Sequence, residues 1–196
     1  MIYLLCLVML FLPSCSQAQN RLVVFGDSIS YGYYADFPYP QLLANKFNLQ
    51  LENHSVTSTT LDSSAQIGAI RSTSFSSNDR ILFSPGINDT LIHKSDPVYA
   101  SYYESLLKEA LDKFEASGAE SYVGEPLHTT NPQLEVDSVT YANILLHVLS
   151  QGNYRHIHLV DSREKFVPAS NNMHDAVHPN TTGHFQLFQI FQGKMQ

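Results

Sequence analysis

The succession of apolar segments predicts an α/β fold: a three-layer α/β/α sandwich around a five-stranded parallel sheet. Two observations carry this expectation. Strand-like apolar runs alternate with segments of helical period five times along the chain, and such alternation builds parallel sheets through right-handed crossovers. The first run, Leu22-Val23-Val24-Phe25, is continuously apolar, as suits a strand covered on both faces. No internal repeat or low-complexity linker interrupts the pattern, so one domain is expected over 19–196.

The elements follow in order. Arg21 to Phe25 is the first expected strand. Pro38 to Phe47 reads as a short helix with Leu42, Leu43 and Phe47 as its apolar stripe. Leu49 to Val56 reads as a second strand and Leu61 to Ile70 as a helix. Arg80 to Ser84 is a third strand, stopped by Pro85-Gly86. From Asp96 to Ala116, Tyr99, Tyr103, Leu106, Ala110 and Phe114 recur at spacings of three and four, the period of a helix. Asp96 can cap that helix and Pro97 suits its first turn. Glu120 to Val123 is a fourth strand. Val136 to Leu149 is a helix with Val139, Leu146 and Leu149 among its apolar positions, stopped by Gly152. His156 to Val160 is a fifth strand. A polar stretch without periodicity covers Asp161 to Pro179, and Thr182 to Gln192 closes the chain as a helix bearing Phe185, Phe188 and Phe191.

Composition narrows the function classes. Of 196 residues, 43% are hydrophobic and 15% charged, which argues for a packed core and against disorder. The net charge of -7, with 11 scattered Lys and Arg, argues against a nucleic-acid partner. Residues 1–18 read as a signal peptide. Ile2 to Leu12 is an uncharged apolar run, too short for a membrane span, and Ser16-Gln17-Ala18 offers a cleavage site after Ala18. Leu12-Pro13-Ser14-Cys15 is a rival reading, a lipoprotein box with a lipid anchor on Cys15, although proline is unfavourable there. Either way the expected product is exported, periplasmic or secreted, without stable membrane insertion. Both cysteines, Cys6 and Cys15, fall in this leader. The remaining domain has no disulfide and no thiolate nucleophile.

Ser28, in Phe25-Gly26-Asp27-Ser28-Ile29, stands at the carboxyl end of the first strand, the edge where open α/β sheets place ligands. A serine hydroxyl becomes a nucleophile only with a base, a group that orients the base, and donors for the oxyanion. Asp175-Ala176-Val177-His178-Pro179 offers His178 as base and Asp175 as its orienting partner. Gly86-Ile87-Asn88-Asp89 follows the third strand and brings the Asn88 amide to the same edge. Asn53-His54-Ser55-Val56-Thr57-Ser58 leaves the second strand there too. Taken singly each motif is weak: Gly26-Asp27-Ser28 alone reads more readily as an ordinary Asx turn, and Gly86-Ile87-Asn88-Asp89 equally well as a simple turn.

Together, in this order from Val24 to Gly183, they resemble the SGNH hydrolases, also called GDSL esterases and lipases. The resemblance implies a flavodoxin-like hydrolase fold. It implies Ser28 as nucleophile, His178 as base and Asp175 as its partner, with an oxyanion hole made by the Ser28 N–H, Asn88 and a third backbone N–H. The family carries a glycine at that third position, and this chain carries Ser58. The N–H survives the exchange, but a positive φ would strain serine. A lost donor would cost about 3–4 kcal/mol of transition-state stabilisation. No metal or organic cofactor is implied.

Several other residues have plainer readings. Tyr31, Tyr33, Tyr34, Phe37 and Tyr39 could line a pocket or simply pack. His156 and His158 share one strand face but lack an evident third metal ligand. His174 is second to His178 as a base, His54 could border the site, and Asp27 is expected to order the nucleophile turn. The resemblance points to a serine esterase for small carboxylic esters or thioesters, like the compact thioesterase, lysophospholipase and arylesterase branch. A carbohydrate O-acetylesterase, an O-acyltransferase and a catalytically impaired binding module remain alternatives.

Overall fold

The computed structural model describes residues 20–196; the leader, with Cys6 and Cys15, lies outside the described residues. Five parallel strands, β1 (Arg21–Gly26), β2 (Gln50–Asn53), β3 (Arg80–Ser84), β4 (Glu120–Gly124) and β5 (Ile157–Val160), form one sheet in the order β2-β1-β3-β4-β5. The order steps outward in both directions from β1 and β3. The carboxyl ends of those two strands therefore flank the switch point where such sheets bind ligands.

Strand pleating divides the core. Successive side chains point to opposite faces, so Leu22 and Val24 join one apolar cluster while Val23 and Phe25 join the other. In β3, Leu82 goes with the first pair, and Ile81 and Phe83 with the second. Both faces are covered, which explains the unbroken apolar run of β1. One cluster is closed by α2 (Tyr39–Phe47) and α8 (Thr181–Met195), and the other by α5 (Pro97–Ser117) and α6 (Pro132–Gln151). The expected three-layer sandwich is the observed one.

Element ends follow local chemistry. Asp96 caps α5 by accepting the Val98 N–H at 2.9 Å, with Pro97 in the first turn. Asn180 caps α8 through the Gly183 N–H at 3.1 Å. Asn131 accepts from Gln133 and Leu134, so α6 begins before the expected Val136. Of its expected apolar positions Val139, Leu146 and Leu149, Leu149 alone packs against the core. Leu134, Tyr141, Ala142, Leu145 and Val148 are buried, whereas Val136, Val139 and Leu146 face outward. Apolar residues occur on both sides of this helix, and hydrophobicity alone does not choose between them.

Several other elements differ from, or add to, what the sequence pattern gives. The helix expected over 61–70 is a π-helical turn, Ser64–Gly68, running into α3 (Ala69–Ser72). The Gly86-Ile87-Asn88-Asp89 block continues into a helix, α4 (Ile87–His93), and the polar stretch after β5 opens with α7 (Ser162–Lys165). The second strand ends at Asn53 because Ser55 N–H turns back to the Asn53 side chain at 3.0 Å.

Gly26 ends β1 where space is tightest. A Cβ there would lie 2.7 Å from Ser30 Cβ and 3.1 Å from the Ser84 carbonyl oxygen. Gly26→Ala should lower unfolding free energy by about 1–3 kcal/mol, the usual penalty of overpacking. Urea denaturation checks this; an unchanged midpoint would contradict the packing at the strand end.

Candidate active site

Ser28 opens α1 (Ser28–Tyr31), the short helix that leaves β1. Asp27 caps it, its Oδ1 accepting the Ile29 N–H at 2.9 Å. Asp27 thus orders the nucleophile turn, as expected. The turn places the Ser28 hydroxyl 2.9 Å from His178 Nε2. On the far side of the ring, His178 Nδ1 lies 2.8 Å from Asp175 Oδ2. With Nδ1 protonated and facing the carboxylate, Nε2 is free to accept the serine proton. Asp175, three residues upstream, is locked by the N–H groups of Val177 (2.8 Å) and His178 (2.7 Å) on its Oδ1. Burial pushes its carboxyl up, but those two N–H groups and the imidazole outweigh burial and hold it below the usual range.

The loop that carries the imidazole is braced on three sides. Met173 and Pro179 form an antiparallel bridge, and the His174 N–H donates to the His178 carbonyl at 2.8 Å. Thr130, from the segment after β4, donates its N–H to the Ala176 carbonyl at 3.0 Å. The His174 ring stacks on Tyr34 at 3.7 Å and does not bond Ser28. Behind the loop, burial and the nearby His178 push the His184 imidazole down to about 4, so it stays neutral beside the active imidazole.

The two residues expected as oxyanion donors besides Ser28 belong to α4 and to the loop after β2. Asn88, in the first turn of α4, gives one amide N–H to the Thr59 carbonyl at 3.2 Å. Its second amide hydrogen stays available. Asp89 ties the same loop from behind, accepting the Leu61 N–H at 3.0 Å and the Tyr99 hydroxyl at 2.6 Å. The loop is anchored to the strand end by the Val56 N–H, which donates to the Gly26 carbonyl at 3.1 Å. Gln66, on the π-helical turn, donates to that carbonyl as well and reaches Thr59 Oγ1 at 3.0 Å. Ser58 sits at φ 59°, the conformation in which glycine is at ease and serine is not.

The remaining sequence candidates separate. Tyr39 is a core residue, its hydroxyl 2.9 Å from Ser30 Oγ. Tyr31, Tyr33, Tyr34 and Phe37 are exposed, and the rings of Tyr33 and Tyr34 lie within 6 Å of the His178 ring, at 5.8 and 5.6 Å. His54 stacks on Phe25 and pairs with Glu52. His156 and His158 both pair with Glu120, at the opposite end of the sheet from Ser28. Among the described residues no group of three or more His, Cys, Asp or Glu is arranged to hold a metal ion. Gln66, Thr130 and Asp89 were not singled out as site residues by sequence. Gln66 left a trace there, as a lone amide within the largely apolar run Ala65 to Ile70.

A hydroxyl, an imidazole and a carboxylate in one hydrogen-bonded line, at the switch point of a parallel sheet, form a centre suited to hydrolysing acyl bonds. The chain belongs to the GDSL-like lipase/acylhydrolase family, whose model matches residues 24–185. By class it is a carboxylic ester hydrolase. A search of curated protein sequences returns no match. Among solved structures, a lipolytic G-D-S-L family member from Veillonella parvula is 15% identical with a TM-score of 0.71, over 88% of this chain and 96% of that one. A catalytic mutant of an acetylxylan esterase from Geobacillus stearothermophilus is 16% identical with a TM-score of 0.71, over 90% and 94%. A psychrotrophic esterase from Pseudoalteromonas is 18% identical with a TM-score of 0.65, over 90% and 96%. At these identities the likeness establishes the shared fold.

Two measurements follow from the site's strain and charge. Ser58→Gly should raise stability by about 0.5–1 kcal/mol, the left-handed penalty less glycine's entropy; thermal unfolding reads it, and a loss of stability would contradict the φ at Ser58. Burial, opposed by the Ile29 N–H and reinforced by the Asp89 carboxylate, pushes Asp27 from 3.8 up to about 7. A raised folded value means the folded state holds this proton where the unfolded chain has lost it. Asp27 therefore stabilises fully below pH ~4, and that contribution fades as pH rises toward 7. Asp27→Asn keeps the cap without the titration. Its stability relative to wild type should climb by about 1.4 kcal/mol per pH unit between pH 4 and 7. Parallel denaturation curves across that range would contradict the burial.

Proposed function

We propose that the protein is an exported serine esterase that hydrolyses carboxylic esters or thioesters through an acyl-enzyme on Ser28. The observation that carries this reading is the continuous line from Ser28 Oγ through His178 to Asp175, with both links under 3 Å. His178 Nε2 takes the hydroxyl proton as Ser28 Oγ attacks the acyl carbon. The carbonyl π bond opens, and its oxygen takes the negative charge against the Ser28 N–H, the free Asn88 N–H and the Ser58 N–H. The Ser28 N–H is available because the first N–H groups of a helix have no partner within it.

Collapse of this intermediate breaks the bond to the alcohol or thiol, and His178 returns the proton to the departing atom. Water then repeats the sequence: His178 takes one of its protons, the oxygen attacks the acyl carbon, and Ser28 leaves reprotonated. Asp175, held ionised, orients the ring and stabilises the imidazolium formed in each half. The Ser58 strain supports a site arranged for function, since backbone in such regions persists where a role requires it. Export rests on the apolar leader of residues 1–18.

A second reading, an O-acetylesterase acting on carbohydrate, draws support from the fold shared with the acetylxylan esterase. It uses the same Ser28 chemistry with a different alcohol.

Purified protein should hydrolyse p-nitrophenyl acetate and butyrate, and Ser28→Ala should lower kcat by about 10³-fold or more, as expected for a unit that depends on its nucleophile. Rates that do not differ between the two proteins would overturn the esterase reading in favour of a non-catalytic binding module with this fold.

A further inference from the structure

Proton transfer fixes where each half of the ester lies. His178 protonates the departing oxygen, so the alcohol leaves on the His178 side of Ser28. The carbonyl oxygen turns to the proposed oxyanion donors, Asn88 and the Ser58 loop, which are bound to each other through the Thr59 carbonyl. What surrounds His178 therefore selects the alcohol.

Two features are found there. The first is the aromatic pair Tyr33 and Tyr34, whose rings stand 5.8 and 5.6 Å from the imidazole and are 44% and 46% exposed. Tyr34 is held at φ 65° with its face on His174, and the Tyr33 N–H is bonded to the Ser28 carbonyl at 2.9 Å. The second is a groove of about 310 Å³ between α2 and α8, lined by Phe37, Leu42, Thr181, Thr182 and Phe185. Phe37 and Phe185 are 63% and 51% exposed. The two features are joined by Asp36, whose N–H donates to Thr181 Oγ1 at 3.1 Å while that hydroxyl donates to Asp36 Oδ2 at 3.2 Å.

We propose that the Tyr33–Tyr34 wall and the Phe37–Phe185 groove form the subsite for the leaving alcohol, and that this alcohol is a long alkyl chain. The inference rests on the esterase reading above and names its substrate class. Thr181 stands three residues beyond His178. Three residues span at most about 10 Å, so an alkyl chain of about eight carbons passes the tyrosines and enters the groove. The lining is almost wholly carbon, which favours methylene groups over sugar hydroxyls that would lose their water without replacement partners. The groove is concave, Asp36 lies beside it on Thr181, and the chain carries a net charge of -7. These features favour a single inserted chain over an anionic membrane surface.

The test compares kcat/KM for straight-chain alkyl acetates from ethyl to decyl, kept monomeric, with p-nitrophenyl esters from acetate to decanoate. Wild type should gain about twofold to fourfold per methylene once the alkyl chain exceeds about eight carbons. Phe37→Asn and Phe185→Gln remove exposed rings and leave the core intact. Each should cut the decyl-to-ethyl acetate ratio about tenfold and leave the decanoate-to-acetate ratio of the p-nitrophenyl series as in wild type. A loss confined to the acyl series would assign the groove to the acyl chain and overturn the proposal. So would a loss seen only with micellar or vesicle-bound ester, or a wild-type preference for acetylated xylan over decyl acetate. Failure of the esterase reading itself would appear separately, as equal turnover of p-nitrophenyl acetate by wild type and Ser28→Ala.

Discussion

The hydrogen bond between Ser28 and His178 spans 150 residues of sequence, and the architecture can be understood as what makes that contact reproducible. Ser28 is fixed by β1, buried on both faces, and by Gly26, which lets the chain turn beside Ser30 and Ser84. His178 comes from the far side of the fold, beyond β5. It reaches Ser28 only if the parallel register holds across β1, β3, β4 and β5. Small errors at any strand would move the imidazole, and misplacement by about 1 Å is enough to cost a reaction about a hundredfold.

Several unfavourable terms lie at this edge. Asp27 and Asp89 are carboxyl groups buried near one another, each pushed up by burial. Ser58 and Tyr34 take left-handed backbone in the loops that follow β2 and α1. Tyr34 is held by its stack on His174, and the Ser58 loop by bonds at its neighbours Val56 and Thr59, so the strain is fixed in place rather than relaxed. The two apolar clusters on the sheet faces supply the stability against which these terms are set.

Sequence reading recovered what local chemistry and strand pattern encode. Ser28, Asn88, Asp175 and His178 were legible because each stands in a short motif beside a strand end or a cap. The order of those motifs also matched one known family. The departures were long-range. Gln66 stands out within 61–70 only as a lone amide, which does not tell that it reaches back forty residues to the Gly26 carbonyl, and that reach accompanies a π-helical turn in place of a regular helix. The buried face of α6 is only partly legible: Leu149 packs against the core, but Val139 and Leu146 are as apolar as the residues that pack and face outward. The Asp36–Thr181 link, which places the aromatic segment beside α8, joins residues 145 apart. The positive φ at Ser58 was a conditional concern in the sequence and an observed feature in the fold.

The central claim is that His178 makes the Ser28 hydroxyl a nucleophile. The most direct measurement is covalent labelling with an activated organophosphonate, followed by intact mass and peptide mapping. The account predicts one adduct per chain, on Ser28, with labelling that is all but lost in His178→Ala. An adduct on another residue, or equal labelling of His178→Ala and wild type, would contradict it.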